Sequence, residues 1–450
     1  MKIPTPPPDW EPLQDMLRKS PEKMISSLKA ASSCTDAYHD WDYYRHHQPP
    51  EGLTSEQLWF GVRHAREASR RATPFTLVGG QPLTYNLPDE LLELVEWISA
   101  NARGIVSGED GSVSPQTGKQ YLFSSVYEEA IRSSQLEGAT TSRRVAHEML
   151  QTGRKPNNLS ERMIVNNYAT MRKLSSLKNK ELCPELICEM HRMLVHDTLE
   201  NPAEAGKIQE PGEERVRIYG DETDKQILHT PPPAEELRAR MQILCDFANN
   251  KTKTSISDSK RVAYFPDLLR AITVHFMVGH DHYFVDGNGR LARALFYWMA
   301  LRDGFFLMEY ISISRLLREA PAQYARAYLL TEQDGGDLTY FFLHQARIIK
   351  RSIEDLNRYL DHHSKKLNLL QTKLRDTDLK MRQINLLEDL LRDAYSEVTI
   401  KSYADNYRVA WETARRDLGD LEGRGYLHRQ KCGRVFVWVL APSFSSAHAR

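Results

Sequence analysis

The chain has 450 residues, and its 60 Lys and Arg balance 60 Asp and Glu, so no net basic field directs it to nucleic acid. Its 41% hydrophobic and 27% charged residues are ordinary for a water-soluble globular protein, here of about three domains. No apolar run approaches a membrane span, and Met1 to Trp10 lacks the apolar stretch of a signal peptide. The five cysteines (Cys34, Cys183, Cys188, Cys245 and Cys432) are scattered and form no C-x-x-C pair. Together these exclude a disulfide scaffold or a cysteine zinc site and set the expectation of a reducing cytoplasm.

Residues 1–115 read as an N-terminal helical region. Pro12 opens a helix from Leu13 to Lys19, and Ser20-Pro21 caps a second one reaching about Ala31. Trp41, Tyr43 and Tyr44 form an aromatic cluster suited to packing. Leu53-Thr54-Ser55-Glu56-Gln57 signals a capped helix to about Arg71. Phe75 to Tyr85 alternates around Gly79-Gly80 as a β-hairpin, and Pro88 begins a helix through Asn101.

Residues 116–345 read as the central domain. Tyr121 to Leu136 is helical and closes on Ser133, Glu137 and Gly138, with Gly138 placed as a C-terminal cap. Helices follow at about 158–177 and 184–198. Arg215-Val216-Arg217-Ile218-Tyr219 and Gln226 to His229 flank a polar turn at Gly220-Asp221, the pattern of a short hairpin. Glu235 to Asn249 is helical, and Thr252 to Lys260 is a polar loop. A helix from Phe265-Pro266 leads into His282, with His275 as core and His280 as a turn residue; no histidine metal site is expected among these three. Helices are expected at about 290–303, 311–331 and 338–375.

Residues 346–379 read as a helical connector, polar and lysine-rich from His362 onward, and 380–442 as a winged helix-turn-helix. A helix at 384–395, a short strand and second helix over 399–407 and a third helix at 409–424 precede a wing hairpin whose return strand alternates at Val435, Val437 and Val439. Arg415, Arg416, Arg424, Arg429, Lys431 and Arg434 could reach phosphates, but Glu412, Asp417, Asp420 and Glu422 share the last helix. DNA binding and protein docking both stay open for it. The tail from Ser443 is expected to be disordered.

The chemistry concentrates in His282-Tyr283-Phe284-Val285-Asp286-Gly287-Asn288-Gly289-Arg290-Leu291-Ala292-Arg293. Gly287 and Gly289 lack Cβ, so the backbone can take positive φ and approach a ligand. The N–H groups at the start of the next helix can then cradle an anion. Arg290 and Arg293 share a helix face, and two guanidinium forks suit a polyphosphate. Asp286 is a hard oxygen ligand of the kind Mg²⁺ takes. His282, neutral near pH 7, can accept a proton.

This stretch resembles the motif of the Fic family, H-x-F-x-(D/E)-G-N-G-R-x-x-R, at His282, Phe284, Asp286, Gly287, Asn288, Gly289, Arg290 and Arg293; Tyr283 stands where the family often has proline. The resemblance implies a mainly α fold: a Fic helical core with a β-hairpin flap, and a C-terminal winged helix beside it. It implies transfer of AMP from ATP, with Mg²⁺, to a Ser, Thr or Tyr hydroxyl of a target protein or of the chain itself. His282 would be the base, Asp286 the Mg²⁺ ligand, and Gly287, Asn288, Gly289, Arg290 and Arg293 the phosphate site. Phe284 would fix the loop by packing. Ser133, Glu137 and Gly138 resemble the family's inhibitory motif, (S/T)-x-x-x-E-(G/N), which implies that Glu137 pairs with Arg293 and takes the place of the γ-phosphate. Arg215, Val216, Arg217, Ile218 and Tyr219 would form the flap that docks a target backbone.

Other readings stay open. Phosphocholine or UMP transfer, or removal of AMP with Glu137 positioning water, fits the same motif. Kinase-like relatives carry alanine and lysine where Gly287 and Gly289 stand. A DNA-binding regulator whose Fic domain senses nucleotide is the reading from another class, and the intact His282 argues against it. The target and the oligomeric state, a homo-oligomer included, are not legible.

Overall fold

The computed structural model describes residues 3–32, 37–103, 115–219, 227–251, 264–375, 378–392, 397–407, 409–432 and 435–441. The expected turn at Gly220-Asp221, the loop at 252–260, Arg434 and the tail from Ser443 lie outside them.

The described residues are mainly helical, as the sequence implied. The order begins α1 (Trp10–Arg18), α2 (Pro21–Ser32), α3 (Trp41–His46) and α4 (Ser55–Ala68), then the hairpin β1 (Arg71–Thr76) and β2 (Pro82–Tyr85). Next come α5 (Asp89–Ala102), α6 (Pro115–Leu136), α7 (Arg143–Thr152), α8 (Leu159–Leu177) and α9 (Pro184–Leu194). A second hairpin, β3 (Ile218–Tyr219) with β4 (Ile227–His229), precedes α10 (Ala234–Ala248), α11 (Asp267–Asp281) and α12 (Asn288–Arg302). Then follow α13 (Ile313–Glu319), α14 (Pro321–Gln333), α15 (Thr339–Arg375), α16 (Met381–Arg392), α17 (Ile400–Tyr407), α18 (Trp411–Gly423), β5 (Leu427–Cys432) and β6 (Val435–Leu440).

Two compact units result: residues 1–105 with 123–353, and residues 106–122 with 354–450. In the first, α11 and α12 pack on each other and are buried on nearly every side, which is the environment expected of helices apolar all round. The indole of the buried Trp298 donates to the Leu177 carbonyl at 3.0 Å, tying α12 to the end of α8. In the N-terminal region, Thr54 and Gln57 form a reciprocal capping box for α4. Gly61 lets α2 cross α4 closely, because a Cβ there would meet the Ser27 carbonyl carbon at 2.7 Å. Trp41 and Tyr44 pack with Trp59 in a buried cluster. Ala346, Ile349 and Ile353 of α15 are also buried in this unit.

Three local departures from the sequence reading have physical causes. The helix expected over 311–331 breaks at Ala320, whose φ of −138° and ψ of 62° are not helical. Pro321 disfavours the helical region for the residue before it and then opens α14 at a first-turn position. Helix α7 is a further element beyond those expected, with Ser142 capping it and Gly153 ending it at φ 67°. His280 is not a turn residue but a buried residue of α11, which ends at His282.

The second unit has its own core, in which Leu386, Leu387, Tyr403, Leu418, Leu421 and Trp438 are buried. The β5–β6 hairpin pairs Leu427 with Leu440 and Cys432 with Val435. Buried Asp417 accepts from Lys380 at 3.0 Å and from Arg382 Nε at 2.5 Å.

Candidate functional site

The site lies where α11 turns into α12. His282 ends α11 with φ 48° and ψ 61°, a left-handed conformation costly for a non-glycine residue and common at functional positions. Its Nδ1 donates to the Gly279 carbonyl at 2.7 Å, which leaves Nε2 as the acceptor of the neutral ring. Burial holds the imidazole below the ordinary histidine value, against the hydrogen bond to Gly279 and with help from His229. A neutral ring with one free lone pair is what a base requires.

Gly287 caps α12 with φ 83°, and a Cβ there would lie 2.7 Å from Val195 Cγ1, so glycine is required twice over. Asn288 does not point into open space. Its Oδ1 accepts from the Phe284 N–H at 3.0 Å and its Nδ2 donates to the Phe284 carbonyl at 2.7 Å, so the side chain closes the loop on itself. Phe284 is fully buried and stacks on His191 with centroids 3.8 Å apart, which is the packing role expected of it. His191 Nδ1 accepts from the Gly206 N–H at 2.9 Å, so its Nε2 is the donor to the Asp286 carbonyl at 2.8 Å. Burial pushes this imidazole down to about 4, which fixes it as neutral.

Both motif arginines are buried and already paired. Arg290 donates to Asp286 Oδ2 at 3.1 Å and to the Leu194 carbonyl at 3.3 Å. Asp286 keeps its carboxylate 53% exposed, so it can still reach a cation. Arg293 donates to Ser133 Oγ at 2.8 Å, to the Ser133 carbonyl at 3.0 Å and to Glu137 Oε1 at 2.9 Å. Burial pushes the Glu137 carboxyl up, but Arg293 and then Arg290 outweigh it and hold it below its ordinary value. Gly289 makes the room: a Cβ there would stand 2.7 Å from Glu137 Cδ.

Helix α6 brings Ser133 to Arg293 and ends at Leu136, so Glu137 reaches Arg293 from the turn that follows, with Gly138 at φ 91°. Its register is fixed two turns earlier. Glu129, 1% exposed, accepts from Tyr297 at 3.0 Å, from Ser312 Oγ at 2.8 Å and from the Ser314 N–H at 3.0 Å. Nothing in the spacing of α6 singles out Glu129, because its partners are 168 to 185 residues away.

A cavity of about 410 Å³ opens over His282, Glu137, Gly289 and Arg293. Arg217 and Ile218 line it from β3 and the residue before it, Leu228 and His229 from β4, and Tyr324, Tyr328 and Glu332 from α14. Arg326, on the same helix, is anchored to Asp40 at 2.8 Å and Asp42 at 3.1 Å. Among the residues expected to dock a target, Val216 and Tyr219 are exposed, and pairing covers only Ile218 with His229 and Tyr219 with Ile227. Arg215 has a different place. It donates to the carbonyls of Pro232 at 2.8 Å, Asp281 at 2.7 Å and His282 at 2.8 Å, with Gln209 as a further partner. It clamps the backbone that carries His282.

Asp281 is a second buried anchor that the motif did not signal. Its carboxylate accepts from His280 Nδ1 at 2.9 Å, Arg240 Nε at 2.9 Å and the Tyr283 hydroxyl at 2.8 Å. Tyr283, where the family often has proline, therefore holds the loop through its hydroxyl. His275 is core, as expected, with Nε2 2.7 Å from the Tyr324 hydroxyl.

Residues 181–300 match the Fic/DOC family. The Fic-matching segment takes in α9 to α12 up to Ala300, and so contains His282, Asp286, Arg290 and Arg293. The chain is similar to protein adenylyltransferase fic-1 of Caenorhabditis elegans, 27% identical over 132 residues, which is 29% of this chain and 22% of that protein. The match thus spans about a fifth of that relative's length. Among solved structures, a Fic family protein from Desulfovibrio desulfuricans G20 superposes with a TM-score of 0.51 at 16% identity, covering 80% of this chain and 98% of that one. That likeness shows a shared Fic fold. A segment of Fic-1 from Caenorhabditis elegans is similar at a TM-score of 0.47 and 18% identity, over 70% of this chain and 79% of that one.

Proposed function

We propose that the chain is a protein adenylyltransferase that moves AMP from ATP to a Ser, Thr or Tyr hydroxyl and is restrained by Glu137. The observation that carries this reading is a neutral His282, with Nε2 as its acceptor, on a cavity that also holds Arg293 and the start of α12. The Fic-matching segment supports transfer of a nucleotidyl or phosphate group, and glycine at 287 and 289 supports AMP as the group moved.

His282 Nε2 takes the proton from the target hydroxyl as its oxygen attacks the α-phosphorus of ATP. The bond from that phosphorus to the bridging oxygen breaks, and pyrophosphate leaves. The N–H groups that open α12 and its dipole hold the phosphates. Arg293, once free of Glu137, takes the γ end, and Arg290 neutralises charge beside it. Asp286 would hold Mg²⁺, and its exposed carboxylate at the phosphate cradle fits an ion that keeps several waters. When bound, that ion supplies positive charge to the phosphates. The apolar side of the cavity, with Leu228, Ala325 and Leu329, suits the purine. The flap at 215–219 and 227–229 would hold the target by strand addition, with Ile218 and Tyr219 as its contacts and Arg215 acting on His282 instead.

Glu137 occupies Arg293 in the present arrangement, so ATP would bind with its α-phosphate out of line for attack. A misplacement of about 1 Å can cost roughly a hundredfold in rate. The second unit fits a winged helix that docks a protein rather than DNA. Its candidate phosphate contacts are partly engaged, Arg424 with Asp378 and with Asp420 at 2.8 Å, and Arg429 with Glu422 at 3.6 Å. The test is mass spectrometry of the intact chain after incubation with Mg²⁺ and ATP. Glu137→Gly should gain an adenylyl group that the parent gains slowly. Gain of a phosphoryl group, or of nothing, would reject the reading.

A further inference from the structure

Beside His282 stands a group of side chains that the transfer reaction does not use. His229 lies on β4, His280 on α11 and Glu332 on α14. One ligand atom from each lies within 4.8 Å of the other two. His229 is 8% exposed and His280 is 1% exposed, while the Glu332 side chain is 21% exposed and faces the cavity. We propose that His229, His280 and Glu332 form a site for a divalent transition metal of the zinc class, distinct from the carboxylate site at Asp286.

The hydrogen bonding around the histidines carries the proposal beyond mere proximity. A metal-binding histidine usually gives its other ring N–H to a carboxylate or a carbonyl, which fixes the tautomer and aims the lone pair. Both histidines have that partner. His280 Nδ1 donates to Asp281 Oδ1 at 2.9 Å, so Nε2 carries the lone pair. His229 Nε2 donates to the His280 carbonyl at 2.7 Å, so Nδ1 is its remaining nitrogen. The supporting shell is itself held, since Arg240 Nη2 lies 2.8 Å from Asp281 Oδ1 and Tyr283 donates to Asp281 Oδ2 at 2.8 Å.

Two imidazoles and one carboxylate, with a fourth position open to the cavity, match the three-ligand sets that bind zinc. Nitrogen donors favour zinc, cobalt, nickel or copper over Mg²⁺, which prefers oxygen. With metal–ligand bonds of about 2.0–2.2 Å, tetrahedral ligands stand roughly 3.4 Å apart. His229 Nδ1 and Glu332 already approach to 3.0 Å as an ion pair, and His280 needs a small closing movement. Without metal, a proton on His229 bridges the same two groups, so proton and metal compete for one nitrogen. A bound ion would tie strand β4 of the flap to α11 and α14 beside His282.

The test uses the full chain, stripped with chelator, and Co²⁺ as the spectroscopic probe. The parent should bind one equivalent with the visible bands of a four- or five-coordinate N/O site and no thiolate charge-transfer band. Zn²⁺ should displace it and Mg²⁺ should not. Glu332→Gln, a conservative change at a partly exposed position, should weaken binding by at least about tenfold, and His280→Ala should abolish it. Zn²⁺ should raise the thermal midpoint of the parent and leave Glu332→Gln unmoved, which keeps the test sound if His280→Ala does not fold. No Co²⁺ band in the parent, or parent-like binding by both Glu332→Gln and His229→Gln, would overturn the proposal. Because the readout is metal binding, its failure leaves the transferase reading untouched, and failure of transfer leaves this site untouched.

Discussion

Glu137 Oε1 accepts from Arg293 Nη2 at 2.9 Å in space that exists only because residue 289 has no Cβ. The two glycines of the motif thus have separate duties. Gly287 supplies the positive φ that starts α12, whereas Gly289 leaves the space that Glu137 fills.

Gly289→Ala should therefore be read together with Glu137. In the parent, the new methyl meets the Glu137 carboxylate, and overpacking of this kind costs about 1–3 kcal/mol. In a Glu137→Gly background the methyl meets little, and the cost should shrink by a similar amount. Denaturant midpoints of the two single variants and the double variant check this; additive effects would mean that the two groups do not share the space.

His282 is held below the ordinary histidine value chiefly by burial. A base must be unprotonated, so the acid limb of kcat/KM should fall at a pH below about 6.5, the ordinary histidine value. Transfer by Glu137→Gly should therefore stay near its plateau as pH drops through that value. A midpoint above it would assign the limb to another group.

Arg215 separates positioning from docking. Its guanidinium holds the carbonyls of Asp281 and His282, so Arg215→Ala should lower kcat by about tenfold or more, as small misplacements at a reacting group do. KM for a peptide target should hardly change. A raised KM with unchanged kcat would return Arg215 to the docking flap.

His191 makes the loop sensitive to acid. Its folded value of about 4 lies below the ordinary 6.5, so the unfolded chain binds the extra proton between those limits. Its contribution to stability is complete above pH 6.5 and is lost as pH falls toward 4, amounting to about 2 kcal/mol by pH 5. His191→Gln should lose correspondingly less between pH 7 and pH 5 in denaturant titrations. Equal losses would place the acid sensitivity elsewhere.

What the sequence revealed depended on range. The helices showed in their apolar spacing and caps, as with Thr54 and Gln57, because those signals lie within a few residues of one another. The motif residues showed because Gly287, Asn288 and Arg290 act within one turn of chain. Glu129, Arg240, Asp281 and Glu332 were not legible as site supports, since each gains its meaning from partners brought near by folding. The contacts of Arg215 were not legible for the same reason: two segments flanking a polar turn suggested a hairpin, but pairing begins only at Ile218, and the carbonyls that Arg215 meets lie 66 and 67 residues away. Pro321 was the one local signal available for the break between α13 and α14.

The most direct test of the central claim is incubation with Mg²⁺ and ATP labelled on the α-phosphate or on the γ-phosphate, with the parent, Glu137→Gly and His282→Ala side by side. Protein label is expected from the α position alone, strongest in Glu137→Gly by about tenfold to a hundredfold over the parent, and none in His282→Ala. Label from the γ position, or α label that His282→Ala retains, would contradict that claim.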